Sequence, residues 1–169
     1  MKIIGSVKED LSKERRISIT PETVKKFTDL KFSVFLEKNY AEHLGITDKE
    51  YKNKGANFYA SAKEVLEKSE LILKVNSLSN EESNLVKNKS ILIAEFDKIL
   101  NKEIVEKLTK KGVKIFSLSL LPRITKAQSM DVLSSQANLA GYRAVIESVE
   151  EFDKAIPMMM TAAGTVTPA

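Results

Sequence analysis

The strongest constraint on this chain is a rhythm. Short apolar bursts alternate with segments of helical period through roughly the first 120 residues. Residues 2–7, 33–37, 71–75, 91–95 and 113–118 read as strands, and 56–59 as a weaker one. The bursts at 71–75 and 91–95 are almost continuously apolar, as strands covered on both faces require. The intervening segments carry helix-start signals with a physical basis. Thr20 caps a helix with Pro21 at its first position, where a missing N–H costs nothing, and Val24 and Phe27 supply its inner face. Thr47 with Glu50, and Ser61 with Glu64, form capping boxes. Asn101 opens a helix whose inner face is Ile104, Val105 and Leu108, with Gly112 as its stop. This order predicts an α/β fold: a mostly parallel sheet with helices on both faces, Rossmann-like or flavodoxin-like. Ligands of such sheets bind beyond the carboxyl ends of the strands. Here that means the segments after Ser6, Val75, Glu95 and Leu118.

Composition enters mainly to exclude. The 169 residues contain no Cys, so disulfides, thiolate catalysis and Cys-bound metal are impossible. With one histidine, His43, no mechanism using two imidazoles of one chain is open, and no His/Asp/Glu set has metal-ligand spacing. The six glycines stand at 5, 45, 55, 112, 141 and 164, so there is no G-x-G-x-x-G fingerprint or phosphate loop. No apolar run approaches the roughly 18 residues of a membrane-spanning helix. The amino terminus lacks the features of a signal peptide, and a cytoplasmic location is expected. The net charge of +4 is spread over interleaved Lys and Glu, without the basic stripe and aromatics expected for nucleic-acid binding.

Arginine is rarer and more informative. Of 27 basic residues only Arg15, Arg16, Arg123 and Arg143 are Arg. Their planar fork can hold a carboxylate, amide or phosphate in two places, which Lys cannot do. Three candidate sites follow. Residues 13–21 lie after the first strand and lead into a helix start; Arg16 there can hold a carboxylate, and the competing reading is a solvated charged loop. Lys74 interrupts an apolar strand near its end, so its ammonium either serves the cleft or snorkels to solvent. Residues 121–134 join the last strand to a long helix predicted over 129–153. They bring together Arg123, Gln128, Asp131 and Ser134, all able to make directional hydrogen bonds. On that helix Ala137, Ala140, Gly141 and Ala144 form a stripe of small side chains, which either packs on the chain's own sheet or meets another subunit or domain.

Three blocks occur together in order: ERRISITP at 14–21, LILKVN at 71–76 and PRITKAQSMDVLSSQANLAGYRA at 122–144. In these the sequence resembles the alanine dehydrogenase and pyridine nucleotide transhydrogenase family, over its amino-terminal part. The last block is more similar to the transhydrogenase alpha subunit. Alanine dehydrogenases resemble the chain around Arg16 and Lys74, which there would meet substrate, but they also need a catalytic His after the fourth strand. Residues 93–98 contain none.

The resemblance implies residues 1–128 as the family's amino-terminal α/β domain, 129–153 as a connecting helix, and 154–169 as a tail leading to an absent NAD-binding Rossmann domain. It implies an enzyme that exchanges hydride between NADH and NADP, coupled to proton translocation. Arg123, Gln128 and Asp131 would position the nicotinamide, with Ser134 completing the NAD(H) contacts. No residue is assigned acid or base chemistry. NADP(H) would sit on a partner component, and membrane components would hold the chain at the inner membrane. A homodimer is implied as well. The alternatives are an alanine dehydrogenase-like fragment, and a non-catalytic remnant or interaction module of a split gene.

Overall fold

The computed structural model describes residues 2–96 and 101–167. Residues 97 and 98, which belong to the segment without a histidine, and the last two residues of the tail lie outside them. The chain forms two compact units, Met1–Pro122 and Arg123–Ala169.

The first unit contains six parallel strands: β1 Ile3–Ser6, β2 Ser33–Glu37, β3 Ala56–Tyr59, β4 Leu71–Leu73, β5 Ile91–Ala94 and β6 Lys114–Ser117. Their spatial order is β3-β2-β1-β4-β5-β6. Helices α1 Pro21–Asp29, α2 Asp48–Asn53, α3 Ala62–Lys68, α4 Asn80–Leu85 and α5 Lys102–Lys110 connect them. The pleat sends alternate residues to opposite faces, and two core clusters result. Ile4, Val34 and Leu36 pack with Ile19, Val24, Tyr40 and Tyr51 beneath α1 and α2. Ile72 and Leu92 pack with Val65, Leu66, Leu78 and Leu108 on the other side. The mostly parallel sheet with helices on both faces is therefore observed, with every pairing in the six-stranded sheet parallel.

The caps explain the helix starts. The Thr20 hydroxyl accepts from the Thr23 N–H, and Thr47 and Glu50 close a full capping box. A second full box, Ser79 with Glu82, opens α4, a helix that the sequence pattern did not predict. Asn101 stands before α5 as predicted, but its amide donates to Ser77 Oγ at 3.0 Å and so ties α5 to the segment after β4. Gly5 marks a close approach. A Cβ built there would lie 1.9 Å from Ser69 Oγ, so only glycine lets the end of α3 sit against β1.

In the second unit the predicted long helix is shorter at both ends. Helix α6 spans Val132–Glu150, and residues Thr125–Met130 form a 3-10 helix instead. The break occurs because Asp131 adopts an extended backbone and accepts from the Ser134 N–H, which makes it the N-cap. The tail beyond forms an antiparallel hairpin, β7 Met159–Thr161 with β8 Gly164–Val166. None of the described helices is long and apolar enough to cross a membrane.

Candidate functional site

The order of the six strands reverses between β1 and β4, the position at which open parallel sheets form a crevice. A cleft of about 1040 Å³ lies there, lined mainly by the segments after β1, β4, β5 and β6 and by Glu37 at the end of β2. The segments named from sequence after Ser6, Val75, Glu95 and Leu118 all reach this end of the sheet.

Lys74 follows β4 and lines the cleft, yet its side chain is only 4% exposed. It does not snorkel. Its Nζ lies 3.1 and 3.2 Å from the two carboxylate oxygens of Glu82, 3.4 Å from the Lys8 carbonyl and 3.7 Å from Glu9 Oε2. Glu9 is nearly inaccessible, and its Oε1 accepts from the Val75 N–H at 2.8 Å. Burial pushes the Glu9 carboxyl above its ordinary value, while Lys74 and the Val75 N–H pull it back down. A buried ammonium thus holds two carboxylates from distant parts of the chain.

Arg16 is differently engaged. Its Nε and one terminal nitrogen donate to the two carboxylate oxygens of Glu14 at 2.9 and 2.6 Å, a bidentate fork. That hydrogen bonding holds the Glu14 carboxyl below its ordinary value and the guanidinium above its own. The residues lining the cleft do not include Arg16. The loop is fixed by Ser18, whose hydroxyl donates to the Leu73 carbonyl at 3.0 Å and meets Tyr40 Oη at 3.1 Å. The structure therefore brings neither Arg16 nor Lys74 forward as a free cation.

Arg123, Gln128, Asp131 and Ser134 belong to the second unit. They cluster around the 3-10 helix and the start of α6. Asp131 accepts from the Ser134 N–H at 3.0 Å and from its hydroxyl at 2.6 Å. These bonds, the hydroxyl's first and then the amide's, hold the Asp131 carboxyl below its usual range, and Arg123 contributes in the same direction. Among the described residues no hydrogen bond or ion pair engages the Arg123 guanidinium or the Gln128 side-chain amide, and both residues are exposed. A cation fork and a carboxamide thus stand with open valences beside a helix start. That donor and acceptor set suits a group presenting an amide and hydroxyls.

Sequence reasoning passed over Glu9, Glu14 and Glu82. The capping-box spacing from Ser79 was available and places Glu82 in a first helical turn. Nothing in the sequence linked it to Lys74. The single histidine, His43, is half-buried in a short 3-10 turn, with Nε2 2.8 Å from the Arg15 carbonyl oxygen.

Residues 5–140 match the family model described as alanine dehydrogenase/PNT, N-terminal domain. The chain is 42% identical to an NAD(P) transhydrogenase alpha-subunit polypeptide of Rhodospirillum rubrum, over 98% of this chain and 44% of that protein. The crystal structure of transhydrogenase from Sinorhizobium meliloti superposes with a TM-score of 0.88 at 42% identity, covering 99% of this chain and 50% of that one. An L-alanine dehydrogenase structure is more distant, with a TM-score of 0.64 at 25% identity over 69% of this chain and 32% of that one. The chain thus spans about half the length of the transhydrogenase relatives it matches.

Proposed function

The chain belongs to the alanine dehydrogenase/pyridine nucleotide transhydrogenase family, and from that premise we propose that it is the amino-terminal part of the NAD(H)-binding component of a proton-translocating NAD(P) transhydrogenase. The supporting observation is that its likeness to transhydrogenase subunits runs along nearly the whole chain and includes the loop with the open Arg123 and Gln128 side chains.

In this reading Arg123 and Gln128 hold the carboxamide and ribose hydroxyls of NAD(H). Asp131 fixes the start of α6 and, with Ser134, orients that edge of the site. The dinucleotide, when bound, supplies the hydride. The chain's own role is orientation, since close approach of two rings depends on holding them in register. No side chain here is assigned to move a proton. In this reading a Rossmann domain, not residues 1–169, grips the adenine and pyrophosphate, in keeping with the absence of G-x-G-x-x-G from these residues. NADP(H) sits on a partner component, and further components anchor the assembly to a membrane. Helix α6, with its stripe of small residues, serves a homodimer.

The test is reconstitution. The chain is combined with the portion of the Rhodospirillum rubrum relative that it does not match and with an NADP-binding component. Hydride transfer from NADH to an NADP analogue is then measured. Transfer is expected, and Arg123→Ala and Gln128→Ala are expected to slow it by about tenfold to a hundredfold through misplacement of the ring. Pyruvate reduction in place of nucleotide exchange would overturn the reading. Full rates in both variants would remove the residue assignments.

A further inference from the structure

Glu9 has no part in the proposed hydride chemistry, yet its side chain is only 3% exposed. Burying a carboxylate is costly unless a cation and hydrogen bonds compensate it. Here the compensation is shared. The Lys74 ammonium lies 3.1 Å from Glu82 but 3.7 Å from Glu9, so the closer ion pair goes to Glu82. Its remaining contact is the Lys8 carbonyl at 3.4 Å. Two carboxylates thus face one ammonium, and the cluster keeps a net negative charge.

The other charged groups around Glu9 do not close this deficit. Arg16 commits its fork to Glu14. Lys8 reaches Glu37 at 3.4 Å, and Lys13 reaches Asp10 at 3.3 Å. Glu95, which lines the same cleft, adds only negative charge. Burial raises the Glu9 carboxyl above its ordinary value; Lys74 and the Val75 and Asn76 N–H groups oppose the rise, and Glu82 adds to it.

What Glu9 holds is backbone. Its Oε1 accepts from the Val75 N–H at 2.8 Å and so ties the loop after β1 to the segment after β4, across the reversal in strand order. A neutral carboxyl can keep that bond through one oxygen without burying a charge. An ionised carboxyl gains by reaching water.

We propose that Glu9 is a proton-responsive latch at the mouth of the crevice: protonated, it stays buried against the segment after β4, and ionised, it turns toward solvent and loosens residues 8–10 from residues 74–76. The advantage of the closed arrangement is fully present below the ordinary carboxylate value and is lost as pH rises through the higher buried one. The latch requires no nucleotide, so its failure and failure of the nicotinamide assignment are read separately.

The Glu9 carboxyl, assigned by through-bond correlation, is titrated by carbon-13 NMR in the whole chain, and amide protection factors are followed at residues 8–10 and 74–76. Its midpoint should lie above the ordinary carboxylate value. Protection at those amides should fall as pH rises through the midpoint, by up to about tenfold for each unit separating it from the ordinary value. Glu9→Gln should keep the closed arrangement, with higher protection at neutral pH and no response to pH. Glutamine also serves at the third position of a capping box, so Glu82→Gln keeps the start of α4. By releasing Lys74 to Glu9, it should lower the Glu9 midpoint. A midpoint at or below the ordinary value overturns the proposal. So does a raised midpoint with unchanged protection, or one that Glu82→Gln leaves in place. The wild-type titration needs no substitution, so it decides the matter even where Glu9→Gln fails to fold.

Discussion

The two units of this chain hold their structure in different ways. In Met1–Pro122 the sheet is flanked by helices, and residues such as Ile72, Leu92 and Leu108 are fully buried. Among the described residues of Arg123–Ala169, only Ala127 is buried. Helix α6 runs for 19 residues without a buried side chain, while Leu133, Leu139, Tyr142 and Val145 are all more than half exposed. The first unit is stabilised by removal of apolar surface from water. The second depends on local devices, chiefly an N-cap and an (i, i+4) pair between Arg143 and Glu147 at 2.7 Å. Local devices alone leave a helix marginal in water. The difference teaches that residues with open hydrogen-bonding groups and residues that carry the fold lie in separate regions of this molecule.

The widest separation should come from paired truncations. Leu92→Ala should cost about 2–5 kcal/mol in chemical denaturation, from lost burial and the cavity left behind. Leu139→Ala should cost no more than about 0.5 kcal/mol, as for an exposed position. A loss at Leu139 equal to that at Leu92 would break the contrast, since it would mean that the face of α6 opposite its small-residue stripe is covered in solution.

A smaller effect should follow from Gly5→Ala. The added Cβ meets Ser69 Oγ and Val65 in tightly packed surroundings, and overpacking there should cost about 1–3 kcal/mol by the same measurement. A neutral result would show that the end of α3 can move away from β1.

The smallest effect belongs to Asp131. Its carboxyl is held below its ordinary value by Ser134, so its contribution is present above the unfolded-state value and lost as pH falls through the lower folded one. Acidification through and below the usual carboxylate range should fray the first turn of α6, read as faster amide exchange at residues 132–136. Asp131→Ala should give the frayed state at neutral pH and remove the pH dependence. Unchanged exchange would show that the start of α6 is held by something other than its cap.

Legibility in the sequence followed the range of the interactions involved. The strands were readable because apolar runs at 71–75 and 91–95 have no alternative compatible with their length. The start of α1 was readable because Thr20 and Pro21 act within one turn. The hairpin at 159–166 was not, because its two-residue loop is Ala162 and Ala163, without the Asn-Gly or Asp-Gly that marks such turns. The start of α6 was placed too early because Asp131 reads equally well as a first-turn residue or as the cap. At the candidate site, residue types in 123–134 were legible, as was the anomaly of Lys74. The partners of Lys74 were not: Glu9 and Glu82 stand 65 and 8 positions away.

By itself, then, the sequence determined the alternation of strands and helices, the caps, and the absence of any glycine-rich dinucleotide loop. Each of these depends on neighbours within a few residues. Only the tertiary structure decided the strand order β3-β2-β1-β4-β5-β6 and the crevice at its reversal. It also decided that Lys74, just beyond the apolar strand β4, has internal partners rather than an open charge. The physical reason is that a buried ammonium must find its counter-charge in space, and spatial neighbours across a parallel sheet are set by crossover connections that local pattern does not encode.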